Sequence, residues 1–105
     1  MRILFDHGTP VPLRRELRGH TVSTAFELGW TELDNGLLLS QAEAQFDVLI
    51  TTDQNLRCQQ NLSGRRLAIL VLPTTSWPTI RTHANQIVGA LDALRPGDFV
   101  ELELK

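Results

Sequence analysis

Apolar residues in this chain gather in five short runs separated by longer stretches of mixed character. The first, Arg2–Phe5, ends in Asp6-His7-Gly8 and predicts a strand. Thr9-Pro10 then reads as N-cap and first helical position, because Pro lacks only an N–H that would be unpaired there. That helix would reach about Arg18, where Gly19 stops it. Residues 20–25 alternate and are rich in Val and Thr, which predicts a second strand. Asp34 can cap a helix to about Gln45, with Leu37, Leu38, Ala42 and Phe46 as its apolar face. Residues 47–52 (DVLITT) predict a buried strand. Asp53 can cap a short helix containing Leu56 and Leu62, broken at Gly64. Residues 67–72 (LAILVL) form an unbroken apolar run, the pattern of a parallel strand covered on both faces. Pro78 is expected to start the longest helix, where Ile80, Ala84, Ile87, Val88, Leu91 and Leu94 keep a 3.6-residue period. Residues 99–104 alternate, Val100, Leu102 and Leu104 opposing Glu101 and Glu103. They predict a half-solvated edge strand, with an antiparallel orientation left open.

The order βαβαβαβαβ implies an α/β fold: a mostly parallel central sheet of about five strands, with helices on both faces. No repeat, linker or low-complexity stretch divides residues 1–105, so one domain is expected. In open sheets of this kind ligands bind beyond the C-terminal strand ends, where strand order reverses.

Composition narrows this picture moderately. With 105 residues and a 42% hydrophobic fraction the chain can build one real core. A single cysteine, Cys58, cannot form an internal disulfide and points to a reducing compartment. No run approaches 18 apolar residues and no secretory leader is evident, so a cytoplasmic protein without membrane partners is expected. The net charge of −2 supplies no dominant basic field. Nine of the ten basic residues are Arg, with clusters at Arg14, Arg15 and Arg18 and at Arg57, Arg65 and Arg66.

The candidate chemistry is acidic. Asp6 follows the first predicted strand and Asp53 the third, so both lie at one edge of the sheet. If those strands are neighbours, the carboxylates converge across roughly 5 Å, one strand spacing. Two carboxylates that close repel unless a cation lies between them, and Mg²⁺ needs only one or two carboxylates plus water and phosphate oxygens. The competing reading makes each Asp a cap for the turn that follows. Asp34 opens a helix and can face the same edge, whereas Asp47 precedes a strand and belongs to the opposite edge. His7 beside Asp6 can move a proton. Gly8 suits a positive-φ turn. Asn55, with Gln59, Gln60 and Asn61, forms an amide-rich stretch after Asp53. Trp30 and Trp77 fall in predicted loops, where a base-stacking role competes with plugging the core. No HExxH, Cys/His cluster, phosphate loop or GxSxG elbow is present.

ILFDHGTP, the DNGLLL stretch and FDVLITTDQNLRCQQNL together resemble small PIN-like proteins of the DUF5615 type, related to the Mut7-C group. The resemblance covers nearly the whole chain and implies a three-layer α/β/α PIN-like domain over residues 1–105. It also implies an acid cluster holding Mg²⁺ or Mn²⁺ for RNA cleavage, often in a toxin paired with an antitoxin. Asp6 matches the family's first acid, Asp34 the acid at the next helix start, and Asp53 the Asp of T-x-D. His7 stands where many relatives have Glu, and Asn55 where many have a second Asp.

Two functions follow as expectations. In the first, a metal-dependent endoribonuclease uses Asp6, Asp53 and Asp34 as metal ligands and His7 as proton shuttle. Asn55, Arg57 and Arg14 contact the RNA. In the second, the reduced acid set leaves a binding module for RNA or a small antitoxin-like protein. A homodimer through the terminal strand is a further option, discouraged by Glu101 and Glu103.

Overall fold

The computed structural model describes residues 1–56 and 64–104. Its strands are β1 (Arg2–Phe5), β2 (Thr21–Thr24), β3 (Val48–Thr51), β4 (Ala68–Val71) and β5 (Phe99–Glu101). They form one five-stranded sheet in the order β2-β1-β3-β4-β5, and every pairing is parallel. The described helical segments are a 3₁₀ turn (Val11–Glu16), α1 (Asn35–Gln45), α2 (Trp77–Thr82) and α3 (Ala84–Ala93).

Period-two alternation distributes the strand side chains between two cores. Ile3, Phe5, Val48, Ile50, Ala68, Leu70 and Leu72 point to one face, where Leu13 and Leu17 and then Ile80, Ile87 and Leu91 of α2 and α3 cover them. Leu4, Leu49, Ile69 and Val71 point to the other and pack under Leu38, Leu39 and Ala42 of α1, with Leu56 beside them. The unbroken apolar run of β4 follows directly from this double coverage.

Three expectations need correction. The terminal strand is parallel, pairing Ile69 with Phe99 and Val71 with Glu101. The reason is the helix before it: α3 carries the chain back along the sheet, so β5 starts at the same edge as β4. The helix expected from Pro78 onward starts at Trp77 under a Ser76 cap and breaks at His83, whose φ of −116° and ψ of 20° are not helical. There the Thr82 hydroxyl donates back to the Thr79 carbonyl at 2.8 Å, competing with the regular ladder. After Thr9 the chain forms a 3₁₀ turn with Pro10 at the cap position and no side-chain cap bond. Thr9 is occupied elsewhere, as described below. The predicted segment around Leu62, including Arg57, Cys58, Gln59, Gln60 and Asn61, lies outside the described residues.

Among the described residues no helix is long and apolar enough to cross a membrane.

Candidate active site at the β1–β3 switch point

Strand order reverses beside β1: the chain steps from β1 out to β2, then returns to place β3 on the other side of β1. The loops leaving β1 and β3 therefore diverge, and a crevice opens between them at the C-terminal ends. Register pairs Phe5 with Ile50, and the Asp6 N–H continues the ladder to the Ile50 carbonyl at 3.2 Å. Asp6 thus sits alongside Thr51, one step past the paired residues. Both fall on the α1 face by alternation.

Thr51 connects the two acids. Its side chain is 1% exposed. Its hydroxyl donates to Asp6 Oδ2 and accepts from the Asp53 backbone N–H at 3.1 Å. The other Asp6 oxygen, Oδ1, accepts from the Thr9 hydroxyl at 2.8 Å and the Gly8 N–H at 3.2 Å. Thr9 is buried, and its Oγ1 also lies 2.9 Å from the Ile50 carbonyl. Asp53 is held separately: Asn35 Nδ2 donates to Oδ2 at 3.1 Å, and the Asn55 N–H donates to Oδ1 at 2.9 Å. The Gln54 amide anchors the turn below, donating to the Leu72 carbonyl at 2.5 Å. Each carboxylate is oriented by short-range donors from three or two sources, so neither is a freely rotating surface acid.

Asp6 and Asp53 line one cleft of about 240 Å³, together with His7, Gly8, Thr52, Asn35, Trp30 and the apolar floor of Leu33 and Leu38. Trp30 packs edge-on against Phe46, ring centres 6.2 Å apart, and so forms a wall anchored in the core. Gly8 has no positive φ. It serves close approach instead: a Cβ there would lie 2.5 Å from Thr52 Oγ1. Asn35, at the first turn of α1, brings that helix's positive end toward Asp53, which favours negative charge in the cleft.

The remaining sequence candidates are placed as follows. His7 is exposed at the rim, between this cleft and a second hollow of about 410 Å³ that also shares Asp6. Asp34 is exposed and caps α1, its Oδ1 accepting from the Leu37 N–H at 2.9 Å. Asn55 contributes its backbone N–H, and its side chain is exposed. Arg14 forms an ion pair with Glu27 at the second hollow. Trp77 opens α2 and packs against the other core. Arg57 lies outside the described residues. Among the described residues no group of three or more His, Cys, Asp or Glu side chains is arranged to hold a metal ion.

Sequence reasoning passed over Asn35, Thr51 and Thr9. Asn35 falls in the first turn of a predicted helix and Thr51 in a predicted strand, and neither residue type marks a site. The alternation of DVLITT was the usable signal, since it turns Thr51 to the same face as Asp6. A further hollow, about 430 Å³, lies at the opposite edge between the ends of α1 and α3. Its carboxylates, Glu43 and Asp47, accept the Arg66 and Arg2 backbone N–H groups.

No family model, curated protein or solved structure matches the chain.

Proposed function

We propose that this chain is a PIN-like, metal-dependent endoribonuclease, acting through the Asp6–Asp53 cleft. The observation that carries the reading is the convergence of two oriented carboxylates on one crevice, with the Thr51 hydroxyl bonded to the Asp6 carboxylate and to the Asp53 backbone N–H.

The donor set fits a hard cation. Among the described residues the cleft is lined by carboxylate, hydroxyl, amide and imidazole groups and no thiolate, a mainly oxygen donor set suited to Mg²⁺ or Mn²⁺. Among the described residues each Asp53 oxygen accepts one hydrogen bond and keeps a second lone pair, and Asp6 Oδ2 is in the same position. Asp6 and Asp53 would hold the ion, with water and phosphate oxygens completing its shell. When bound, the ion supplies charge stabilisation at the phosphate and a bound water of lowered pKa. The chain's own groups do the rest. Thr51, Thr9 and the Gly8 N–H fix Asp6, while Asn35 and the Asn55 N–H fix Asp53, so both oxygens are in place before substrate arrives. The His7 imidazole at the rim exchanges a proton with the leaving oxygen or with solvent. Asp34 keeps α1 capped beside Asn35, and its exposed carboxylate adds negative charge near the cleft mouth.

The resemblance extends the proposal to a toxin whose small protein partner covers this edge. A second reading is favoured by the absence of a three-acid group among the described residues: a PIN-like module with weakened catalysis that binds RNA or a protein.

The test is cleavage of a mixed RNA pool with Mn²⁺ or Mg²⁺ against Asp53→Ala. Cleavage by the wild type that is lost in the variant supports the nuclease. No cleavage by the wild type, or equal cleavage by both, removes it. RNA binding that survives EDTA without any cleavage supports the second reading.

A further inference from the structure

Phe26 is 80% exposed, the most solvent-open of the large apolar side chains among the described residues. It does not hang on a loose loop. The turn that carries it, immediately after β2, is closed by reciprocal bonds. The Thr24 N–H donates to Glu27 Oε1 at 3.0 Å, and the Glu27 N–H donates to Thr24 Oγ1 at 3.1 Å. This is the reciprocal pattern of a capping box. Backbone bonds from Leu28 N to the Thr24 carbonyl and from Trp30 N to the Ala25 carbonyl, 3.2 and 2.8 Å, close it further. Arg14 then pins Glu27 from the 3₁₀ turn, and its hydrogen bond holds the Glu27 carboxyl below its ordinary value. A rigid turn thus holds an aromatic ring out in water, where burial would have been favourable.

The ring borders the second hollow of about 410 Å³. Val11, 54% exposed, comes from a different element and lines the same hollow, as do Asp6 and His7. That hollow therefore adjoins the acid cleft, with Asp6 and His7 lining both. Its size is in the range of small-ligand sites.

We infer that Phe26 is a stacking platform for a single-stranded RNA base next to the phosphate bound at Asp6 and Asp53. The inference rests on the nuclease reading for the identity of the strand. Adjacency to the acid cleft favours a nucleobase over a protein side chain: a strand whose phosphate is held by the ion at the two carboxylates has its neighbouring base beside the adjoining hollow. Aromatic stacking is also independent of sequence and of charge, and needs no basic field. The Arg14–Glu27 pair beneath is already neutralised and adds little net attraction for phosphate.

The experiment is fluorescence anisotropy with a labelled single-stranded oligoribonucleotide in Ca²⁺, a hard oxygen-binding cation that replaces Mg²⁺ so that phosphate is held at the acids while cleavage is not supported. The proteins are wild type, Phe26→Ala, Phe26→Leu and Phe26→Trp. Truncation to Ala weakens binding by about 5- to 150-fold, the range expected for one stacked base. Leu, apolar but without a π face, also weakens it, and Trp retains it. An oligomer with one abasic position in the bound register costs the wild type a similar factor and costs Phe26→Ala little more. Thermal melting confirms that each variant is folded, as expected for so exposed a position. Equal affinity of wild type and Phe26→Ala overturns the proposal, as does a wild type that binds no RNA. Loss on Ala substitution with full recovery in Leu also overturns it, since apolar bulk alone would suffice. The nuclease reading is scored separately by Asp53-dependent cleavage in Mn²⁺. Cleavage with no effect of Phe26 removes only the platform, and Phe26-dependent binding without cleavage removes only the nuclease.

Discussion

Replacing Thr51 by Val isolates the link between the two acids. The substitution keeps the shape of a side chain that is 1% exposed and removes only the hydroxyl. Two interactions go with it: donation to Asp6 Oδ2 and acceptance from the Asp53 N–H. A hydrogen bond to a charged group contributes about 1.5–3 kcal/mol, and a buried N–H left without a partner costs about 1–3 kcal/mol. Asp53 is only half-buried, so water recovers part of the second amount. The better burial of a methyl offsets a further part. A net destabilisation of about 2–3 kcal/mol is expected. Urea unfolding followed by the fluorescence of Trp30 and Trp77 measures it. With a slope of roughly 1.5 kcal/mol/M, the midpoint falls by about 1.3–2 M with the slope unchanged. Thr51→Ser keeps the hydroxyl and loses one methyl, so it recovers the hydrogen-bond part and retains a cost of about 1 kcal/mol. A Val variant within about 0.5 kcal/mol of wild type, or a Ser variant no better than Val, would refute the assignment of Thr51 as the bridge.

Other consequences follow from the same geometry. Asp34→Ala removes the α1 cap and costs about 1 kcal/mol in the same urea assay, with Mn²⁺ affinity by calorimetry falling less than tenfold. Gly8→Ala drives a Cβ against Thr52 Oγ1 and costs about 1–3 kcal/mol. In a Thr52→Ala background the penalty shrinks, and a double-mutant cycle that is strictly additive would contradict the contact. The Glu43 carboxyl is held below its ordinary 4.5, first by the Arg66 backbone N–H and, more weakly, by the nearby Arg65 charge. A depressed folded value contributes stability above the unfolded value that is lost as pH falls through the folded one. Melting temperature should therefore drop more steeply below pH 4.5 in wild type than in Glu43→Gln, and parallel curves would count against this. Leu70→Ala, at a fully buried position in the middle of β4, should cost about 2–5 kcal/mol by urea unfolding.

The sheet was readable because each strand announces itself through burial. DVLITT and LAILVL have the continuous apolar character that only a doubly covered parallel strand needs. The Asp34 cap and the end of α1 were equally plain, since capping chemistry is local. What failed was set by tertiary geometry. The orientation of β5 depends on where α3 delivers the chain, and Glu101 and Glu103 give the alternation of any edge strand. The break at His83 is invisible to apolar periodicity because Ile80 and Ile87 remain in one core on either side of it. In the site, the convergence of Asp6 and Asp53 depends on β1 and β3 being neighbours, a condition the sequence leaves open and the sheet order meets. The hydrogen bonds that orient them involve Thr9, Asn35 and Thr51, residue types too common for sequence to single out. Thr9 shows the ambiguity well: a hydroxyl before Pro10 reads as a helix cap and instead holds Asp6.

Asp6 and Asp53 are proposed to form one hard-cation site at the β1–β3 switch point, and anomalous scattering from crystals of the wild-type protein grown with Mn²⁺ is its sharpest test. A single strong peak is expected between the two carboxylates, bonded to oxygen from each and absent in Asp6→Asn/Asp53→Asn. Manganese found only elsewhere, or no peak at the cleft at saturating Mn²⁺, would contradict it.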